Sequence, residues 1–358
     1  MSGHGPTDDY NEWLALTGPA GNSGWFGGSV MHNGWTARSW HLDEYLHITN
    51  WTVDRALRFL KRRDPSCPYF LTVNFIAPHP PLQPPAFYME RYLRTGVPEP
   101  VIGDWAEPPI FGQGQFYHDG RLIEDHVSSE KVLLTGEALA SARAAYYSLI
   151  NHVDDQLRRL LNPIIGIDAL SERSTIVVFT SDHGEMLGDH YLWRKGLAYE
   201  PAARVPFLIS APERYGLKKT GVVDAPATHL DIMPTLLEMA RVRIPDTVEG
   251  LSLLPLLRGE KIKWRDYVHI QHAPSTQAVT DGRQKYFWYN EDGREQFFDL
   301  TEDPNECHNL IGDHLYRERI ELWRKRLIQE LTGRPEGFTD GRRLIPGRPF
   351  KPVLDTGR

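Results

Sequence analysis

An α/β fold is predicted, an α/β/α sandwich around a mostly parallel mixed sheet with a small C-terminal α+β subdomain. Three observations point to it. Short apolar, β-prone runs at residues 69–76, 176–179 and 205–210 alternate with segments of helical periodicity. The first two runs end in loops bearing imidazole or carboxylate groups, as strands of open α/β sheets do where ligands bind. Beyond residue 264 the pattern changes to short strands separated by Asp-Gly turns. A chain of 358 residues accommodates one large core and an appendage. The expected boundaries are 1–262 for the core, 263–335 for an antiparallel sheet with one helix, and 336–358 for an irregular Pro/Gly/Arg-rich tail.

In chain order, the first forty residues are rich in Gly, Ser, Asn and Trp and read as loops. A helix begins near Asp43, with Val53, Ala56, Leu57 and Leu60 at helical spacing, and ends in Lys61-Arg62-Arg63, which complements the helix dipole. Pro65 and Pro68 break the chain before a strand at 69–76, and a long excursion follows over 83–135. Residues 142–161 carry an apolar stripe, with Asp154 and Asp155 expected to form surface ion pairs with Arg158 and Arg159. After the strand at 205–210 come a helix over 230–242 with Pro234 in its first turn, strands at 267–271, 276–280 and 285–288, and a last helix over 315–331.

Composition narrows the function. Hydrophobic residues make up 41% and charged residues 24%, ordinary for a globular protein, and the net charge of −7 argues against a nucleic-acid footprint. An anionic substrate must be drawn by a local positive site. No apolar run reaches membrane-spanning length, and the opening residues lack the basic and apolar regions of a signal peptide, so the default expectation is cytoplasmic. Cys67 and Cys307 form neither a disulfide framework nor a zinc ligand set.

The chemistry concentrates after residue 176, where Ile176-Val177-Val178-Phe179 runs into Ser181-Asp182-His183-Gly184. Asp182 and His183 offer one oxygen and one nitrogen ligand to a divalent cation, Gly184 and Gly188 allow tight turns beside them, and Lys195 supplies a mobile positive charge. Together they read as a site for a tetrahedral oxyanion. An Asp-His dipeptide is by itself more often a loop contact than a ligand pair, and His79 alone reads as a loop histidine. Position favours the sharper reading, because prolines 78, 80 and 81 hold His79 at the end of a second strand.

The segment VVFTSDHGEMLGDHYLWRKG followed by RVPFLISAP resembles the sulfatase branch of the alkaline-phosphatase-like superfamily. PYFLTVNFIAPHPPLQPP, AAYYSLINHVDDQL, THLDIMPTLLEMA, EGLSLLPLLRG and KYFWYNEDGREQFFDLTEDPNECHNL agree with it in order, covering residues 42–309. The resemblance implies a sulfuric ester hydrolase in which Asp182 and His183 are metal ligands, Lys195 contacts the sulfate, and His79 touches the sulfate or the leaving-group oxygen. The implied cation is Ca²⁺, with Mn²⁺ or Mg²⁺ compatible with one imidazole in the set. His190 receives a supporting role. The implied partner is a small-molecule or carbohydrate sulfate ester, with no nucleic acid and no membrane.

Sulfatases begin with a strand ending in two acidic ligands, followed by a C/S-x-P-x-R motif whose Cys or Ser becomes the formylglycine nucleophile. Asp8-Asp9 follows no hydrophobic strand and Cys67-Pro68-Tyr69-Phe70 does not fit the motif, so the motif is expected to be absent and the 1–262 core to lack its N-terminal part. Two other readings stand beside a sulfatase: a one-metal phosphonate or phosphate ester hydrolase of the same superfamily, and a non-catalytic anion- or carbohydrate-binding homologue. A two-metal phosphatase is disfavoured, since the 15 histidines, His229 and His272 among them, form no evident second ligand set.

Overall fold

The computed structural model describes residues 9–21, 24–25, 27–28, 30, 33–108, 116–118, 121–123, 132–170, 175–218, 221–272 and 276–349. The chain divides into two compact units, Met1–Pro100 with Pro108–Arg173 and Tyr191–Trp193, and Val101–Glu107 with Ser174–His190 and Arg194–Arg358. Among the described residues no helix is long and apolar enough to cross a membrane.

The first unit is mainly helical. Helix α1, Asp9–Thr17, was not expected from the loop-like composition of the opening segment; it buries Tyr10 and Leu14 against Trp25, Trp40 and Leu46. The Gly-rich run that suggested loops lies just after it. Helix α2, Ile48–Arg62, starts where His47 Nδ1 accepts the Thr49 N–H at 3.1 Å, an imidazole in place of the usual hydroxyl or carboxylate cap. Helix α3, Ala86–Thr95, and the short hairpin β1, Phe116–His118, with β2, Arg121–Ile123, lie in the 83–135 excursion, of which 109–115, 119–120 and 124–131 are outside the described residues. Helix α4, Gly136–Leu170, outruns the predicted 142–161 at both ends and contains Pro163. Asp155 pairs with Arg158 at 3.0 Å, while Asp54, not Asp154, takes Arg159 at 2.9 Å.

Residues 69–76 have the alternation of a strand without a ladder. Leu71, Val73 and Phe75 pack on Val53, Ala56 and Leu160, whereas Phe70 and Ile76 are exposed. The described residues provide no strand pairing for this segment, and an extended run becomes a strand only when a neighbour completes its hydrogen bonds.

In the second unit, strand β3, Val177–Thr180, is followed by the one-turn helix α5, Glu200–Ala203, and strand β4, Phe207–Ser210. β3 and β4 pair antiparallel, from Val177 opposite Ser210 to Thr180 opposite Phe207. Helices α6, Ile232–Met239, and α7, Leu254–Arg258, lead to a four-stranded antiparallel sheet of β5, Val268–His272, β6, Thr276–Thr280, β7, Gln284–Tyr289, and β8, Glu295–Asp299, in that order. β8 was not anticipated. Helix α8, Arg317–Leu331, lays Ile320, Trp323, Leu327 and Leu331 on Val279, Tyr286, Trp288 and Phe297. The opposite face presents Phe287, Phe298 and Lys285, the first two around Tyr199.

Candidate functional site

The loop after β3 is shaped by its own hydrogen bonds. Asp182 Oδ1 accepts the His183 N–H at 3.0 Å, and Ser181 Oγ donates to the His183 carbonyl at 2.7 Å. His183 Nδ1 lies 2.8 Å from the Gly184 carbonyl, which can only accept, so Nδ1 carries the proton. The Nε2 lone pair then sits 3.6 Å from Asp182 Oδ2. A carboxylate oxygen and an imidazole lone pair at this separation suit a shared cation, and the carbonyl partner of Nδ1 is the kind that orients a metal-ligating histidine. Gly184 is required sterically: its N–H donates to the Ala202 carbonyl at 2.8 Å, and a Cβ there would overlap the Pro201 carbonyl oxygen.

Between this pair and Lys195 the backbone doubles back. Glu185 is half-buried and its carboxylate accepts the N–H groups of Leu187 and Arg194, while Met186 N donates to the Arg194 carbonyl at 2.9 Å. Leu187, His190, Tyr191 and Arg194 all have positive φ, at 49, 54, 60 and 69°. Such conformations cost about 1–3 kcal/mol each in non-glycine residues and tend to persist at functional sites held by their surroundings. Here the holding groups are visible: His190 N donates to the Val101 carbonyl at 2.7 Å, Val101 N to Asp189 Oδ1 at 3.1 Å, and Gly103 N to His190 Nδ1 at 3.0 Å. His190 is thus a buried structural anchor of this loop. Lys195 emerges half-buried; desolvation pulls its pKa below the ordinary lysine value, Arg194 adds to this, and Glu185 and Asp182 oppose it.

Asp182, His183 and Lys195 belong to the second unit and His79 to the first. His79 follows the 69–76 segment in a turn closed by its N–H to the Ile76 carbonyl at 3.0 Å, and its Nδ1 donates to the Pro80 carbonyl at 2.7 Å, so Nε2 carries the acceptor lone pair. Two residues that received no site role from the sequence support the loop. His229 Nε2 donates to the Ser181 carbonyl at 2.8 Å. Asp231, fully buried, accepts from Arg265 at 2.5 and 2.7 Å and from the N–H groups of Thr228 and Leu251, fixing the short helical turn His229–Asp231 that carries His229. The signal was in THLDIMPT, where a Thr precedes an Asp three residues on, as in a capping box.

Among the described residues no group of three or more His, Cys, Asp or Glu converges as a metal site. Asp182 and His183 therefore fit two positions of a ligand set that for a hard cation such as Ca²⁺ needs six to eight. The expected absence of the C/S-x-P-x-R pattern needs correction. Ser210-Ala211-Pro212-Glu213-Arg214 meets the bare pattern. Ser210 is paired with Val177 at the far end of the ribbon from Thr180, which leads to Asp182, so β-pairing carries it away from the ligand pair.

Residues 10–242 match the sulfatase family, and residues 188–332 match the family described as N-sulphoglucosamine sulphohydrolase, C-terminal. The chain is 44% identical over 321 residues to an arylsulfatase of Clostridium perfringens, a match covering 88% of this chain and 64% of that protein. The chain thus spans just under two thirds of that relative's length. Among solved structures it is similar to a phosphonate monoester hydrolase of Agrobacterium radiobacter, with a TM-score of 0.70 at 24% identity, covering 89% of this chain and 68% of that one. It is also similar to BT4656, solved in complex with its substrate D-glucosamine-2-N,6-O-disulfate, with a TM-score of 0.63 at 22% identity, covering 80% and 69%. These likenesses show the fold, an α/β arrangement as the sequence predicts.

Proposed function

Because this chain belongs to the sulfatase family, we propose that it acts in the hydrolysis of a sulfate ester, of an aryl alcohol or a carbohydrate. The observation that carries the reading is the convergence of the Asp182 carboxylate and the His183 Nε2 lone pair at 3.6 Å, with Lys195 close enough for the Asp182 charge to act on it. In this reading Asp182 and His183 hold part of a divalent cation's coordination, and the cation when bound neutralises sulfate oxygens. Lys195 donates a charge-assisted hydrogen bond to the oxyanion, which strengthens as charge develops in the transition state. The resemblance assigns His79 to the leaving-group oxygen, a role that requires Nε2 to be protonated, since the Nδ1 proton is held by the Pro80 carbonyl. A phosphonate or phosphate ester is the second reading, because a cation and an ammonium that suit one tetrahedral oxyanion suit the other as well.

The test joins this chain to the portion of the Clostridium perfringens arylsulfatase that it does not span, and compares 4-nitrophenyl sulfate with an aryl phosphonate. Faster sulfate turnover is expected, with Lys195→Ala lowering kcat/KM by about 2–4 kcal/mol of transition-state stabilisation. Preference for the phosphonate would favour the second reading, and turnover indifferent to Lys195→Ala would remove Lys195 from the site.

A further inference from the structure

Lys285 is the one lysine among the described residues with no exposure, and the proposed chemistry does not use it. It stands on β7, on the sheet face turned toward Tyr199. Its Nζ lies 2.8 Å from the Ala198 carbonyl, 2.7 Å from Glu200 Oε1 and 2.9 Å from Glu306 Oε1. An ammonium has three donors, and three oxygens, two of them carboxylate, surround this one. The cluster is closed a second time, since the Glu200 N–H donates to Glu306 Oε2 at 2.6 Å. Glu306 is itself fully buried with φ of 56°, and its carbonyl accepts the Trp105 indole N–H at 2.7 Å. Trp105 in turn stacks on Tyr199 with ring centroids 4.9 Å apart and planes 16° from parallel.

What this cluster grips is the stretch that carries the site. Ala198 is three residues beyond Lys195. Glu200 opens α5, whose Pro201 and Ala202 carbonyls accept the Glu185 and Gly184 N–H groups at 3.0 and 2.8 Å, next to His183. One buried ammonium therefore ties the C-terminal sheet to both arms of the site, the arm of Asp182 and His183 and the arm of Lys195. A buried cation between two carboxylates is a poor source of net stability compared with apolar packing, so its use here calls for a reason in geometry. We infer that Lys285, with Glu200 and Glu306, is a positioning residue that sets the placement of Lys195 and of the Asp182–His183 loop. The inference rests on the reading that Lys195 contacts the oxyanion.

The experiment uses the full chain. Lysine reductive methylation followed by mass spectrometry reads the reactivity of Lys195, with exposed Lys61 and Lys325 as internal references, and hydrogen exchange reads the amides of Gly184 and Glu185 against those of Val279 and Phe287 in the sheet. Lys285→Met is expected to change Lys195 reactivity at least threefold and to speed exchange at Gly184 and Glu185 about tenfold, with sheet amides unchanged. Glu200→Gln keeps the shape and two of the three ties and is expected to give a smaller change of the same kind. If Lys285→Met loosens the whole sheet, Glu200→Gln decides: local change with an intact sheet supports the inference. Unchanged Lys195 and Gly184 in a folded Lys285→Met, or in Glu200→Gln where the first variant does not fold, overturns it. Protection of Lys195 by inorganic sulfate is measured alongside on the unmodified chain. Its failure would count against the oxyanion role of Lys195 and leaves the effect of Lys285 readable.

Discussion

The four-stranded sheet β5–β8 and the two-stranded ribbon β3–β4 are made of similar residues in very different settings. In the sheet, Val279, Tyr286, Trp288 and Phe297 are covered by α8, and on the other face Phe287 and Phe298 are fully buried. In the ribbon no residue is fully buried, and Phe179 and Leu208 are 39% and 58% exposed. The sheet is covered on both faces, whereas the ribbon that carries Asp182 and His183 is held by tethers: His229 on the Ser181 carbonyl, α5 on Gly184 and Glu185, and the Lys285 cluster behind α5. A two-stranded ribbon is marginal without such support.

The largest effect that can break this comparison is in the sheet. Trp323→Ala empties the centre of the α8 contact and removes the indole N–H donated to Gln284 Oε1 at 2.9 Å, and is expected to cost about 3–5 kcal/mol in denaturant unfolding. Phe179→Ala should cost under about 1 kcal/mol, because little of its contact is lost. Equal losses at the two positions would erase the distinction.

Acid should act on neither region first. In the first unit His47 and His152 are buried with rings 4.8 Å apart; burial lowers His47 to about 3, with the charge of His152 adding to it, and burial lowers His152 to about 4. Their protons are accounted for by neutral tautomers, His47 Nε2 donating to the Gln83 carbonyl at 3.3 Å and His152 Nε2 to Asn50 Oδ1 at 2.6 Å. Since the unfolded chain takes up these protons near 6.5 and the folded chain does not, stability is fully present above that value and falls as the pH drops toward 4. Unfolding at pH 5 should be easier than at pH 7 by on the order of 2–4 kcal/mol, and His152→Gln should flatten the dependence. A flat profile between pH 7 and 5 in the unsubstituted chain would contradict the buried neutral pair.

Gly184→Ala sharpens the claim that the ribbon depends on tethers. Its Cβ would press on the Pro201 carbonyl, costing about 1–3 kcal/mol, and it should speed hydrogen exchange in the 182–187 loop while β6 and β7 stay protected. Protection unchanged in that loop would mean the contact with α5 is not a tether. The smallest expected change in stability is at Leu208, where Ser should alter unfolding by less than about 0.5 kcal/mol and reduce self-association in sedimentation, since an exposed leucine on an open strand invites pairing. Unaltered self-association would show that the ribbon's apolar face is inert.

Much of this was legible in the chain. The α/β fold class and the Asp182–His183 pair at the end of a strand followed from periodicity and from residue types at a strand's edge, and the three C-terminal strands at 267–288 from turn residues between apolar runs. Helix α1 was masked by the Gly-rich composition beside it, and β8 was hidden because Glu295-Gln296-Phe297-Phe298-Asp299 has too few apolar residues to stand out, its burial coming from β7 and α8. The 69–76 run shows the opposite failure, a strand pattern whose ladder depends on a neighbour that local sequence does not report. The tethers were invisible for a like reason: Lys285, Glu200 and Glu306 are distant in sequence, and a lone Lys or Glu reads as surface.

Whether Asp182 and His183 take a divalent cation is read by calorimetric titration of Ca²⁺ into the full chain and into Asp182→Ala. A carboxylate and one imidazole are only part of a ligand set, so weak binding is expected, loosely selective among Ca²⁺, Mn²⁺ and Mg²⁺ and lost in Asp182→Ala. Tight stoichiometric Ca²⁺ binding that survives Asp182→Ala would contradict it.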